Sequence, residues 1–120
     1  MPDPNFVLLY VENPQASEPF YTQLLGHKAV QSSTTFVLFA LASGVRLGLW
    51  SKHAAEPPPG PVGGGELAFA VGNANAVDSL HREWHRRGMT IVQRPTKMDL
   101  GRTFVALDPD GHRLRVFAPT

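Results

Sequence analysis

The chain is one pattern written twice, and this repetition constrains the fold more than any other feature of its 120 residues. Residues 6–13 read Phe-Val-Leu-Leu-Tyr-Val-Glu-Asn, and residues 66–73 read Glu-Leu-Ala-Phe-Ala-Val-Gly-Asn. Each is an apolar strand ending in an asparagine, whose side-chain oxygen can cap a helix. Pro14 suits a first helical position, and Phe20, Tyr21, Leu24 and Leu25 then fall on one helical face before Gly26 supplies the stop. In the second copy Val77, Leu80 and Trp84 keep helical spacing up to Gly88. Pro19 removes a backbone donor inside the first helix, so a bend is expected there.

The second half of each copy matches as well. Residues 36–50 and 103–117 read as hairpins in which Gly44 aligns with Gly111, Arg46 with Arg113, Gly48 with Arg115 and Trp50 with Phe117. Asp108-Pro-Asp-Gly is a strong turn signal, because proline presets one dihedral and glycine accepts a positive one. Weaker strands are expected at about 28–33 and 89–94. Each copy therefore reads strand–helix–strand–strand–strand, an α+β arrangement. A single domain over 1–120 is expected, with unit one at about 6–51 and unit two at about 66–118. Between them, residues 56–65 hold four prolines and four glycines, which fit neither a helix nor a central strand. A linker is the plain reading, and a lid beside a pocket is the functional one.

Composition narrows the function. Eleven glycines and eleven prolines fit many turns and strands better than long helices. A formal charge of +1 leaves no electrostatic footprint for nucleic acid. With no cysteine there is no disulfide framework, thiolate nucleophile or cysteine-held metal. The polar start Met1-Pro-Asp-Pro-Asn does not read as a signal peptide, and no apolar run approaches the roughly 20 residues of a membrane span. A cytoplasmic protein without a membrane partner is expected.

A doubled βαβββ unit with Asp108-Pro-Asp-Gly before its last strand resembles the vicinal oxygen chelate superfamily of glyoxalases, extradiol dioxygenases and bleomycin-resistance proteins. The resemblance covers about residues 6–118, and the Leu-Gly-Leu-Trp strand and Val-Phe-Ala-Pro ending are most similar to the drug-binding resistance members. It implies that each unit curls into half a barrel with its helix outside. Strand alternation then turns Val7, Leu9 and Val11 toward the first helix and Phe6, Leu8 and Tyr10 toward the cavity. Leu67, Phe69 and Val71 turn to the second helix, while Glu66, Ala68 and Ala70 face the cavity with Arg46, Gly48, Trp50, Arg113, Arg115 and Phe117.

The resemblance also implies where a metal would sit: Phe6, Gly48, Glu66 and Arg115. Only Glu66 can ligate, and a guanidinium in place of a ligand repels a divalent ion, so no metal and no other cofactor is expected. His81 and His85 share a helical face beside Arg82, Arg86 and Arg87 and read as exposed residues of a basic surface. His27, His53 and His112 show no ligand spacing, and there is no nucleophile elbow or phosphate-binding glycine loop.

The expected ligand site joins Phe6, Tyr10, Trp50 and Phe117 with Glu66, Arg46, Arg113 and Arg115, and with Gly48, whose missing side chain leaves room for a ring. Aromatic faces with a few charges suit a planar aromatic small molecule, held by a resistance-type binder of the bleomycin, mitomycin or phenazine kind without turnover. The alternatives are a metal-independent isomerase or lyase with Glu66 as general base, its pKa raised by an apolar pocket, and a scaffold with a filled cavity. Glu66 and Arg115 can also simply pair. Unpaired sheet edges and open cavity walls lead to the expectation of a homodimer.

Overall fold

The structure, a computed structural model, describes residues 2–119. Its first unit runs β1 (Phe6–Val11), α1 (Pro14–Leu25), β2 (Gln31–Ser32), β3 (Phe36–Ala40) and β4 (Arg46–Ser51). The second runs β5 (Glu66–Ala70), α2 (Ala74–Arg86), β6 (Thr90–Met98), β7 (Gly101–Leu107) and β8 (Arg113–Ala118). The division between them falls after Pro61, within the proline- and glycine-rich stretch. Each unit holds one four-stranded sheet, in the order β1-β4-β3-β2 or β5-β8-β7-β6. In both, the first strand pairs in parallel with the last, and the other pairings are antiparallel. This is the α+β fold of two βαβββ half-barrel repeats.

The repeat extends to the hydrogen-bond register. Phe6 lies opposite Arg46 as Glu66 lies opposite Arg113, and Leu8 opposite Gly48 as Ala68 lies opposite Arg115. Phe36 faces Trp50 in the first hairpin where Thr103 faces Phe117 in the second. Gly44 and Gly111 hold φ of 94° and 89°, the left-handed conformation their tight turns require.

Both helices start as their asparagines dictate. Asn13 accepts hydrogen bonds from the backbone N–H groups of Gln15 and Ala16, and Asn73 accepts one from Ala76 at 2.8 Å. Asn73→Ala leaves that donor without its acceptor and should cost about 1 kcal/mol in thermal or urea unfolding. The α1 helix continues through Pro19, and its fully buried side is Pro14, Ser17 and Tyr21. Phe20, Leu24 and Leu25 are only half-buried, so the core-facing stripe is narrower than the apolar pattern predicts.

Two strands differ from expectation. The first weak strand shrinks to Gln31–Ser32. The second extends beyond residue 94, through Pro95 to Met98, and turns at Asp99-Leu100 into Gly101. Proline is tolerated because β6 is a sheet edge with register shifts on either side of Gln93, where a missing N–H leaves no ladder partner stranded.

The helix-facing sides of both sheets carry the cores. Val11, Val37, Phe39, Leu47 and Leu49 are buried with Tyr21 in the first unit. In the second, Trp84 sets its ring edgewise against Phe69 and Phe104, with centroids 6.0 and 5.3 Å away. His81 departs from the exposed reading: it is half-buried, with its ring 5.4 Å from that of Phe104. Burial, and then the neighbouring His85, hold its pKa below the usual value. His85 is exposed as expected. Among the described residues, no helix is long and apolar enough to cross a membrane.

Candidate functional site

Strand alternation and the observed register put Phe6, Leu8 and Tyr10 on one face of the first sheet with Arg46, Gly48 and Trp50. Opposite α1, this face is open in the chain: Phe6 is 48% exposed and Leu8 43%. Tyr10 and Trp50 stack at 6.0 Å with 29° between their planes, and Phe36 meets Trp50 edge-on at 6.3 Å. The Arg46 guanidinium lies 5.9 Å from the Phe6 ring centre. The first unit thus presents an aromatic surface with a cation at one end.

Gly48 does not leave the room expected of it. A Cβ there would lie 2.7 Å from Cζ of Phe36 and 2.8 Å from Cδ2 of Leu8, so this chain's own side chains occupy the space. Phe36 escaped the sequence reading, although counting back from the Gly44 turn places it opposite Trp50. Gly48→Ala should lower stability by about 1 kcal/mol, since the Leu8 methyl can give way more easily than the Phe36 ring. Tryptophan emission should shift as Phe36 moves against Trp50.

The second sheet carries charge where the first carries rings. Arg115 donates from Nε to Oε1 of Glu66 at 2.6 Å and from Nη2 to Oε2 at 3.0 Å, a bidentate pair. Its Nη1 donates to Oε1 of Gln93 at 3.2 Å and to Oγ1 of Thr103 at 3.1 Å. The buried Thr103 hydroxyl donates onward to the Val116 carbonyl. Gln93 and Thr103 were not foreseen, because their part depends on the register of β6 and β7 against β8. The hydrogen bond from Arg115 holds the Glu66 carboxyl below the usual carboxylate range, more than burial raises it. This corrects the expectation of a raised pKa at Glu66, on which its reading as a general base rested.

Arg113 lies on the same face, its Nη1 3.6 Å from Oε2 of Glu66 and its side chain 61% exposed. A groove of about 670 Å³ is lined by Glu66, Arg113 and Arg115 together with Gly63, Gly64 and Gly65. The glycine-rich stretch, whose plain reading was a linker, thus also borders a pocket. Phe117 follows two residues after Arg115 on β8 and is half-buried.

Of the residues expected to form one site, Phe6, Tyr10, Arg46, Gly48 and Trp50 share the first unit's open face. Glu66, Arg113, Arg115 and Phe117 belong to the second unit's sheet. The four superfamily ligand positions do not fit a divalent cation: Phe6 and Gly48 offer no donor, and both Glu66 oxygens are taken by Arg115. Among the described residues, no three His, Asp or Glu side chains cluster as ligands.

The model of the Glyoxalase/Bleomycin resistance protein/Dioxygenase superfamily matches residues 4–116, and the chain belongs to this superfamily. The chain is 29% identical over 116 residues to the phenazine antibiotic resistance protein EhpR of Enterobacter agglomerans, covering 94% of this chain and 89% of that one. It is 52% identical to protein ATC0852 from Agrobacterium tumefaciens, whose solution NMR structure superposes with a TM-score of 0.91 and coverage of 100% and 99%. A glyoxalase/bleomycin resistance protein/dioxygenase from Nocardioides shares the fold, with a TM-score of 0.82 at 22% identity over 99% of this chain and 84% of that one.

Proposed function

We propose that the chain binds and sequesters a planar aromatic small molecule, such as an antibiotic, without changing it chemically. The observation that carries this reading is the open aromatic face of the first sheet, where Tyr10 and Trp50 are paired in register and stacked, and Phe6 lies further along the same face of β1 opposite Arg46. Stacking on rings suits a flat ligand, and the likeness to a phenazine antibiotic resistance protein supports the same class. The competing lyase or isomerase needs a free carboxylate, whereas Glu66 is engaged on both oxygens.

Titration with phenazine, followed by tryptophan emission, should saturate, and the ligand released afterwards should have an unchanged mass. A product of altered mass overturns sequestration, and no saturable binding of phenazine or other planar aromatics overturns the binder itself.

The same reading includes a homodimer. Phe6 and Leu8 are large apolar side chains left substantially exposed, and each sheet ends in edge strands that association can cover. Light scattering should report about twice the 13.1 kDa chain mass, and a concentration-independent mass of one chain refutes the dimer.

A further inference from the structure

Three charged side chains line the second unit's groove, and they do not cancel. Arg115 is spent: its guanidinium serves Glu66 twice, then Gln93 and Thr103, and only 15% of the side chain is exposed. Glu66 is correspondingly neutralised, with one donor on each oxygen. Arg113 is left over. It touches Glu66 only at 3.6 Å, and most of its planar fork of donors faces outward. The groove therefore carries one uncompensated positive charge, on a guanidinium whose neighbours are already fixed.

The glycine-rich stretch that lines the same groove adds backbone donors. Among the described residues, the N–H groups of Gly63, Gly64 and Gly65 donate to no backbone carbonyl. Nothing lies within 4 Å of where a Cβ would be built on any of the three. Gly63 and Gly64 hold φ of 142° and 80°, a backbone path that other residues rarely follow. A cation with free donors and unengaged backbone amides lining one groove suit an oxyanion.

We propose that this groove of the second unit is a carboxylate site, in which Arg113 pairs with the anionic group of a molecule seated there while the Arg115–Glu66 pair holds the groove floor in place. The identity of the molecule as an aromatic acid rests on the proposed binding function, whereas the anion site rests on the groove alone. A cationic ligand is disfavoured, because among the described residues the only carboxylate lining the groove is already paired.

The test uses two matched pairs of probes on the full chain. Phenazine-1-carboxylate and its neutral carboxamide are titrated at neutral pH against the parent protein and Arg113→Gln. The carboxylate should bind the parent about tenfold more tightly than the carboxamide, as one charge-assisted contact implies. In Arg113→Gln this preference should vanish while carboxamide affinity stays the same. Benzoate and benzamide are then followed by NMR of the backbone amides: benzoate alone should shift Gly64, Gly65 and Arg113, saturably and only in the parent. Arg113 is exposed, so the variant should melt like the parent. Inorganic phosphate is run beside them, and tighter binding of phosphate than of benzoate overturns the carboxylate assignment. Equal affinity for the two phenazines with unmoved amides overturns the groove and leaves the aromatic binder standing. Benzoate saturation without binding of either phenazine does the reverse, and silence in both arms defeats both.

Discussion

Replacing Arg115 with methionine should remove about 2–4 kcal/mol of stability, a little under the loss typical when a fully buried ion pair loses one partner. The discount follows from exposure, since the side chains of Arg115 and Glu66 remain 15% and 25% exposed. Methionine fills much of the space but leaves Glu66, Gln93 and the buried Thr103 without the donors that organised them. Arg113 can swing in from 3.6 Å and recover part of the loss. Adding Glu66→Leu to Arg115→Met should restore much of the stability, because a missing pair costs less than an orphaned charge. The pH dependence has a definite sign. Glu66 titrates below its usual 4.5 in the fold, so its stabilisation is complete above about pH 4.5 and is lost as the pH falls through the lower folded value. The gap between parent and Arg115→Met should therefore narrow in urea melts carried below pH 4.5. A constant gap from pH 7 to pH 3 defeats the assignment of that stability to ionised Glu66.

Trp50→Ala is expected to weaken binding of a planar aromatic ligand by about tenfold or more, from the loss of stacking and of the area it buries. The residue also packs at home, stacked on Tyr10 and met by the edge of Phe36, so melting temperature should fall too. The two effects separate because titration below the melting transition reads only the ligand. A variant that melts earlier yet binds phenazine as tightly as the parent confines Trp50 to packing. Trp50→Phe, which keeps a ring, should restore most of the affinity.

The fold was legible because its signals are local and duplicated. Asn13 and Asn73, the glycines at 26, 44 and 111, and the Asp108-Pro-Asp-Gly turn each dictate geometry within a few residues, and the repeat checks each unit against the other. Strand edges were less legible. Pro95 looks like a stop from neighbouring residues alone, and only the position of β6 at a sheet edge makes it harmless. The faces of β1, β4, β5 and β8 followed from a period of two, which correctly brought Glu66 and Arg115 together. What alternation could not show was volume. The space above Gly48 depends on Phe36, which the hairpin brings over it opposite Trp50, rather than on any pattern around residue 48. The direction of the pKa at Glu66 likewise depends on the reach of Arg115, which a face assignment does not specify.

The two repeats have exchanged bulk for charge at matched positions. Phe6, Leu8, Phe36 and Gly48 in one unit stand where Glu66, Ala68, Thr103 and Arg115 stand in the other. Arg115, the largest side chain of the second set, stands where the first has Gly48, and Phe36 stands where the second has Thr103, so one unit is filled by rings and the other by an ion pair. No single step leads from one set to the other: an arginine at Gly48 strikes Phe36, and a phenylalanine at Thr103 strikes Arg115. Conversion is therefore strongly epistatic, with intermediates that are each overpacked or left with an unanswered charge. The halves of this chain are locked into different chemistries by steric bookkeeping between strands, although their backbones remain interchangeable in register.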